Sequence, residues 1–170
     1  MIKLTVYPAA FGEPTASPFC MKSLCMLRAA DLPFEIIETA DPRKAPKAKL
    51  PIIEVEDRVV ADSEQIRAYV EDAGNIDFDE GLPDRDRAIS RAIIRMVEEH
   101  LYFAIVADRW GEDDNWQYIR NAFFNDVPAL FRGFVTRMVR KQALQQLQGQ
   151  GIGRHGHDRH RVVSRDGAQG

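Results

Sequence analysis

The sequence has few cysteines, no excess of positive charge and no long apolar run. Its two cysteines, Cys20 and Cys25, lie five positions apart in a predicted helix, so their side chains point in different directions and we expect both thiols to be reduced and unpaired. The 23 Lys and Arg residues against 26 Asp and Glu residues leave a net charge of -3, which lacks the basic excess of a nucleic-acid-binding protein. No run of about 18 apolar residues and no signal-peptide pattern occur. We therefore expect no nucleic-acid partner, no membrane span and a cytoplasmic location.

What the sequence does contain is enough apolar surface for a folded core. Of the 170 residues, 45% are hydrophobic and 29% are charged, which fits one compact domain or two small ones. Strand-like runs cover residues 3–7, 34–39, 51–55 and 58–61, and helical spacing covers residues 17–31 and 62–74, where Gly74 is expected to stop the helix. The order is β-α-β, a polar break at residues 41–47, and β-β-α. The positive charges of that break face either water or an anionic ligand.

The second half of the sequence is predicted to be helical. Residues 75–83 are acidic and rich in turn formers, so we expect a linker there. Apolar residues at helical spacing between residues 89 and 105 predict a long amphipathic helix. Two further helices are predicted at residues 116–127 and 130–144. The apolar run Leu130–Phe134 within the last of them is expected to lie exposed.

Residues 149–170 differ in composition from the rest of the chain. They contain glycine, arginine and three histidines but almost no large apolar side chains, so we expect this tail to be disordered. His155, His157 and His160 are potential metal ligands, yet a ligand set on a flexible segment has no enforced geometry. We therefore expect no metal site.

The motif Ser17-Pro18-Phe19-Cys20 stands where the first strand leads into the first helix. Ser17 at the N-cap and Pro18 at the first helical position are a common helix-start signal. The same place offers unpaired backbone N–H groups and the positive end of the helix dipole, which favour an anion such as a thiolate. If Cys20 is exposed, the dipole should lower the pKa of its thiol; if it points inwards, it is a small hydrophobic residue. Cys25 is expected in the core.

Two further junctions carry residues of chemical interest. Leu50-Pro51 opens the third strand, where proline removes a ladder donor and indicates a special bend or a cis bond. Asp62 and Ser63 lie where the fourth strand leads into the second helix. They form either a helix cap, with Gln65 at a capping-box-like spacing, or a binding site for a ligand carboxylate at the helix N-terminus.

In combination, these motifs resemble a known family. The chain resembles the thioredoxin-fold N-terminal domain of the glutathione S-transferase superfamily. Three segments carry the resemblance: Ser17-Pro18-Phe19-Cys20, Leu50-Pro51-Ile52-Ile53-Glu54 and residues 61–70. Together with residues 44–51, the first motif is similar more particularly to the branch of failed-axon-connections and metaxin proteins. The resemblance implies an α/β fold with a thioredoxin-like domain at residues 1–74, followed by an all-α and truncated C-terminal domain at residues 83–148 and the disordered tail at 149–170.

The resemblance also implies that glutathione is the substrate. It implies a cis bond at Pro51, pairing of the Leu50 backbone with the cysteinyl part of glutathione, and binding of its γ-glutamyl end by Asp62 and Ser63. Ser17 takes the place of the reactive residue, where some relatives carry cysteine. A hydroxyl there stabilises the thiolate of glutathione by donating a hydrogen bond, whereas a cysteine would form a mixed disulfide.

Three functions remain open at this point. The first is transfer of glutathione to an electrophile, which would dock against the long helix near Tyr102, His100 and Trp110; His100 also fits a hydrogen-bonded core position. The second is a non-catalytic binding or adaptor protein. The third is a thiol redox protein in which Cys20 is the catalytic residue.

Two properties of the whole chain are also expected from the resemblance. Relatives commonly dimerise, so a homodimer is expected. The composition after Gly153 departs from the family pattern, which indicates a truncated or frame-shifted product whose helical domain lacks its last part.

Overall fold

The computed structural model describes residues 1–124 and 127–154. The chain divides into two compact units, Met1–Leu82 and Pro83–Gly170. The tail predicted to be disordered begins at residue 149, yet its first residues are folded: the last helix ends at Gln150, a 3-10 helix covers Ile152–Arg154, and Ile152 is buried. The rest of the tail, from position 155 onwards, lies outside the described residues, and so do its three histidines. Across the described ranges, no helix combines the length and the apolar character needed to cross a membrane.

A four-stranded mixed sheet forms the centre of the first unit. Its elements are β1 (Ile2–Val6), α1 (Pro18–Ala29), β2 (Phe34–Glu38), a short 3-10 helix (Pro42–Lys44), β3 (Ile52–Val55), β4 (Arg58–Ala61) and α2 (Ser63–Gly74). The strand order across the sheet is β2-β1-β3-β4. β1 is parallel to β2, and β3 is antiparallel to both β1 and β4. This is the predicted β-α-β-β-β-α order of a thioredoxin-like domain.

The core of the first unit forms where the sheet meets α1 and α2. Along β1, Ile2, Leu4 and Val6 are buried while Lys3 between them is exposed, which is the period of two expected for a strand with one covered face. The largest fully buried aliphatic side chains are Leu4, Leu24, Leu27, Ile53, Ile66 and Val70. Full burial of such a side chain contributes about 1.5–3 kcal/mol, so this cluster is the main source of stability in the unit.

The end of α2 differs from the prediction. Gly74 is the last helical residue rather than the stop signal, and the left-handed C-cap is Asn75 at a φ of 48°. Asparagine tolerates this conformation better than most residues because its short polar side chain bonds locally. A Cβ at position 74 would lie 3.4 Å from the Cβ of Ala30, an ordinary van der Waals contact, so packing there does not require a glycine.

The predicted linker at residues 75–83 is packed onto the first unit. Arg67 of α2 donates to the carboxylate of Glu71 at 3.2 Å and to that of Asp79 at 2.8 Å. Its guanidinium carbon lies 5.7 Å from the ring centroid of Phe78. The side chains of Arg67 and Asp79 are only 12% and 9% exposed. This shielded ion pair therefore holds the segment that follows α2.

The second unit is helical throughout its described residues. Its elements are α3 (Asp84–Met96), a π-helical turn (Val97–Leu101), α4 (Tyr102–Gly111), α5 (Asp113–Phe123), α6 (Ala129–Gln150) and a 3-10 helix (Ile152–Arg154). The helix predicted between residues 89 and 105 is therefore interrupted by a π turn, a feature that sequence periodicity does not reveal.

The apolar stripe of that helix is not buried, although an amphipathic pattern predicts a covered face. Five of its members are between 41% and 61% exposed, namely Ile89, Ile93, Met96, Val97 and Leu101. The apolar run Leu130–Phe134 is exposed as predicted, with Leu130 at 86%. The second unit thus presents two apolar surfaces to solvent.

An aromatic cluster joins α4, α5 and α6. The ring centroid of Trp110 lies 5.4 Å from that of Trp116 and 6.5 Å from that of Phe123. Arg140 of α6 lies over the Trp116 ring at 5.1 Å and donates to the carbonyl oxygens of Trp110 and Gly111 at 2.9 and 3.0 Å. Because these carbonyls end α4, the guanidinium caps the C-terminus of that helix.

Replacing Arg67 by alanine should destabilise the first unit. The substitution leaves the carboxylate of Asp79 buried without its cation, and we expect a loss of about 3 kcal/mol in the free energy of unfolding. Urea unfolding followed by circular dichroism measures this. The control Arg43→Ala removes an ion pair with Asp41 in which both side chains are exposed, and it should leave the urea midpoint unchanged. Equal shifts in the two variants would contradict a structural role for Arg67.

Candidate functional site

The junction between β1 and α1 presents the Ser17 hydroxyl at a helix start. A backbone hydrogen bond from Ala16 N–H to the Pro8 carbonyl, at 3.0 Å, closes the loop that leaves β1. Ser17 then has an extended backbone, with a φ of -105°, and its Oγ accepts the N–H of Cys20 at 3.4 Å. Pro18 follows at the first helical position. Both helix-start residues therefore occupy the positions that the sequence predicts.

The Ser17 hydroxyl keeps a donor while it caps the helix. A serine hydroxyl has one O–H donor and two acceptor lone pairs, so accepting the Cys20 N–H leaves its own proton available to a ligand. The first turn of α1 contains no acidic residue. An anion placed at this helix start would therefore meet the helix dipole and a hydroxyl donor without like-charge repulsion from the first turn.

Cys20 faces the core, which is the second of the two alternatives that the sequence left open. Its side chain is fully buried, and burial raises the pKa of the Cys20 thiol above its usual range. Hydrogen bonding to the thiol, chiefly from the Tyr7 backbone, opposes this effect without reversing it. Since the thiolate is the reactive form, this geometry disfavours Cys20 as a nucleophile.

The prediction of a buried Cys25 is wrong, because its side chain is exposed. Five residues of α-helix rotate the chain by about 140° beyond one full turn, so Cys20 and Cys25 cannot share the covered face. Neither cysteine forms a disulfide, as predicted.

The second junction lies at the start of β3. The peptide bond between Leu50 and Pro51 is cis, as the family resemblance implied. Leu50 and Pro51 are both buried, and Leu50 belongs to the core cluster of the first unit.

The third junction lies between β4 and α2. Asp62 is the N-cap, and its Oδ1 accepts the N–H of Glu64 at 3.1 Å. Its backbone has a φ of 100° and a ψ of 133°, a conformation rare for a residue with a Cβ and frequent at binding sites, where it costs about 1–3 kcal/mol. Ser63, the first helical residue, is 3% exposed. The Asp62 carboxylate is half-exposed and so remains accessible to a ligand.

Lys47 is a further residue of this junction that sequence reasoning did not single out. Its Nζ lies 3.3 Å from the Oδ2 of Asp62, and both side chains are exposed. The polar segment 41–47 was predicted to face either water or an anionic ligand, and its last residue in fact stands beside a candidate site carboxylate. The only signal in the sequence was the density of positive charge before Pro51.

Strand register brings the three junctions to one end of the sheet. Thr5 near the end of β1 is opposite Ile52 at the start of β3, and Ile52 is opposite Ala61 at the end of β4. The chain therefore leaves β1, enters β3 and leaves β4 along one row of paired residues. An ion pair between Lys22 of α1 and Glu64 of α2 connects the two helices that begin at this end.

The three residues predicted to contact an electrophile lie in different surroundings in the second unit. His100 is exposed within the π turn and is not a core histidine. Tyr102 is half-buried, and burial raises the pKa of its hydroxyl, with a smaller opposing effect from Arg109. Trp110 packs in the aromatic cluster with Trp116. Over residues 1–124 and 127–154, no group of three or more His, Cys, Asp or Glu residues is arranged to hold a metal ion.

The first unit has the element order β-α-β-β-β-α, with a cis proline before β3 and capped helices after β1 and β4. A helical unit follows it. This is the architecture of the glutathione S-transferases. The family model of the glutathione S-transferase N-terminal domain matches residues 18–116. The chain belongs to this family.

Comparison with curated relatives shows to which branch of the family the chain belongs. An isoprene-epoxide–glutathione S-transferase of Rhodococcus sp. (strain AD45) is 30% identical over 168 residues, which cover 91% of this chain and 67% of that protein. Failed axon connections of Drosophila melanogaster is 32% identical over 102 residues, covering 60% and 24% of the two chains. A metaxin-1 homolog of the same organism is 23% identical over 146 residues, covering 85% and 44%. The chain is a member of the branch that contains these proteins, and it spans less than half the length of the last two.

Solved structures support the fold. The β-etherase LigF from Sphingobium sp. strain SYK-6 has a TM-score of 0.51 at 20% identity, with 88% of this chain and 68% of that chain covered. A likeness at this level of identity concerns the fold alone.

The two thiols should differ sharply in reactivity. Iodoacetamide at neutral pH should modify Cys25, which is exposed, and leave Cys20 unmodified, because its buried thiol has a raised pKa. Peptide mapping by mass spectrometry measures both positions. Addition of urea should make both positions react, and a Cys25→Ser variant should take up no label while folded. Labelling of Cys20 in the folded protein at a rate comparable to that of Cys25 would contradict its assignment to the core.

Proposed function

We propose that this chain binds glutathione at the end of the sheet where the three junctions meet, and activates its thiol for transfer to an electrophile. The observation that carries the proposal is the strand register, which aligns the end of β1, the start of β3 and the end of β4. Membership of the glutathione S-transferase family and the transferase relative from Rhodococcus support it. A cytoplasmic location and a homodimer belong to the same proposal.

Ser17 activates the thiol in this proposal. Its free O–H donates to the sulfur of glutathione and lowers the pKa of that thiol, while the start of α1 supplies a favourable dipole. The thiolate sulfur then attacks an electrophilic carbon, for which an epoxide is the example given by the Rhodococcus relative. A C–S bond forms as the C–O bond of the ring breaks, and the alkoxide oxygen takes up a proton from water.

The remaining site residues hold the peptide. The Asp62 carboxylate accepts the α-ammonium group at the γ-glutamyl end, and the buried Ser63 at the first position of α2 directs a helix N-terminus at the neighbouring carboxylate. The Leu50 backbone pairs with the cysteinyl part. Lys47 beside Asp62 offers a cation to a carboxylate of the ligand.

A second candidate function is that of a non-catalytic binding or adaptor protein. Its support comes from the likeness to failed axon connections and to a metaxin-1 homolog, together with the cap bond of Ser17. In this case Ser17 serves only as the N-cap of α1, and the exposed apolar surfaces of the second unit serve contacts with other proteins. Redox catalysis by Cys20 is not favoured, because the thiol is buried with a raised pKa.

Glutathione binding should depend on the Asp62 carboxylate. Calorimetric titration of the full chain with millimolar glutathione should give heat, and Asp62→Asn should weaken the affinity by about tenfold because a charge-assisted hydrogen bond is lost. Asp57→Asn is the matched control, as Asp57 is an exposed aspartate in the turn between β3 and β4. It should change the affinity by less than about twofold. Absence of heat with the unmodified chain would exclude the transferase proposal and favour the adaptor.

Variants at Ser17 should separate thiol activation from helix capping. Ser17→Ala removes both the cap and the donor, whereas Ser17→Asp keeps a capping oxygen without an O–H donor. Both should lower the conjugation rate by about 100-fold, while Ser17→Thr should restore most of the rate. Ser17→Ala should leave the affinity for glutathione nearly unchanged, whereas the negative charge of Ser17→Asp should also weaken binding of the thiolate. The assay follows conjugation with a generic electrophile and with an epoxide, with ultraviolet absorbance reporting the bound thiolate. Normal turnover in Ser17→Asp would show that residue 17 is a cap and nothing more.

A further inference from the structure

A groove in the second unit takes no part in the proposed function. It has a volume of about 670 Å³ and runs beside α6, where its lining extends from Gly133 to Gln148. Trp116 and Arg120 of α5 line its other side. Since an α-helix rises about 1.5 Å per residue, the lined part of α6 is about 22 Å long. A groove that follows four turns of a helix matches the length of a helical peptide segment better than that of a compact small molecule.

Four cations and no acidic residue are found among the described residues that line the groove. Arg140 is engaged with Asp113 at 2.7 Å and with the end of α4. The side chains of Arg120, Arg137 and Lys141 also line the groove, and these side chains form no ion pair or hydrogen bond among residues 1–124 and 127–154. Three cations that have no anionic partner among the described residues, placed around one concave surface, favour an acidic ligand.

The same face of α6 continues as an apolar surface. Leu130 and Phe134 are 86% and 71% exposed, and both precede the cationic part of the groove. One stripe of the helix contains Leu130, Phe134, Arg137 and Lys141, because they are spaced four, three and four residues apart. The stripe therefore presents exposed apolar side chains at one end and, at the other, cations that have no ion-pair partner in the described part of the chain.

We propose that this groove and stripe bind an acidic amphipathic helix of a partner protein. Apolar side chains of that helix would pack on Leu130 and Phe134, and its carboxylates would pair with Arg137 and Lys141. Residues 155–170 do not have the required charge, because they carry three arginines against two aspartates. A nucleic acid would match the cations but not the apolar end of the stripe. Glutathione binding uses the first unit only, so the two proposals are independent.

The test uses the full chain and a synthetic peptide. The peptide is a fluorescein-labelled helix of about 15 residues, which matches the length of the groove, with leucines on one face and glutamates on the other. Fluorescence anisotropy should show saturable binding that weakens as the salt concentration rises. A control peptide with lysine in place of each glutamate should not bind.

Charge reversal should locate the binding surface. The double variant Arg137→Glu with Lys141→Glu should weaken peptide binding by at least about tenfold. The matched control, Arg85→Glu with Arg91→Glu, makes the same change in net charge at two exposed arginines of α3 and should alter binding by less than about twofold. Circular dichroism verifies that both double variants remain helical, and Phe134→Ser should weaken binding without any change in charge.

Several results would overturn the proposal. Equal binding of the glutamate and lysine peptides, or equal effects of the two double variants, would show that charge at the groove does not select the ligand. Binding of a short DNA or of an aromatic sulfonate that depends on Arg137 and Lys141, without peptide binding, would assign the groove to another ligand. Sedimentation velocity showing that Arg137→Glu with Lys141→Glu dissolves a dimer would identify the occupant as a second copy of the chain.

Discussion

The candidate site depends on one constraint, the antiparallel pairing of β3 with both β1 and β4. The register opposes Thr5 to Ile52 and Ile52 to Ala61, so three chain junctions lie in one row at one end of the sheet. A shift of one residue would turn the buried face of a strand to solvent, so the burial of Leu4 and Ile53 holds this register in place. The position of the site is therefore a consequence of how the hydrophobic core of the first unit is packed.

The first turn of α1 shows how small a difference in placement decides the chemistry. Ser17 lies outside the helix, where its hydroxyl meets both the N-terminal N–H groups and solvent. Cys20, one turn later, points into the core, where burial raises the pKa of its thiol. At this helix start the chain therefore offers a hydroxyl donor to a ligand, while the Cys20 thiol is inaccessible. This arrangement suits stabilisation of an external thiolate and disfavours formation of a mixed disulfide with Cys20.

The second unit differs from the first in leaving much of its apolar surface exposed. Its aromatic cluster is closed by Arg140, which stacks on Trp116 and caps α4, yet the apolar stripes of α3 and α6 remain exposed. Helices with an uncovered apolar face gain little of the packing energy that normally stabilises them. The groove along α6 combines such an apolar surface with cations, which gives it a chemistry distinct from that of the proposed glutathione site.

The sequence by itself determined the order and type of the elements in the first unit, the helix starts at Ser17 and Asp62, and the membership of the family. These depend on local signals, namely periodicity, N-caps and short motifs. Only the tertiary structure decided that Cys25 is exposed, that Asn75 rather than Gly74 caps α2, that Lys47 stands beside Asp62, and that the helix after residue 89 contains a π turn with an exposed stripe. Each of these depends on which neighbouring segment covers a face or approaches a side chain, and such contacts between segments distant along the chain are not encoded in the pattern of any one segment.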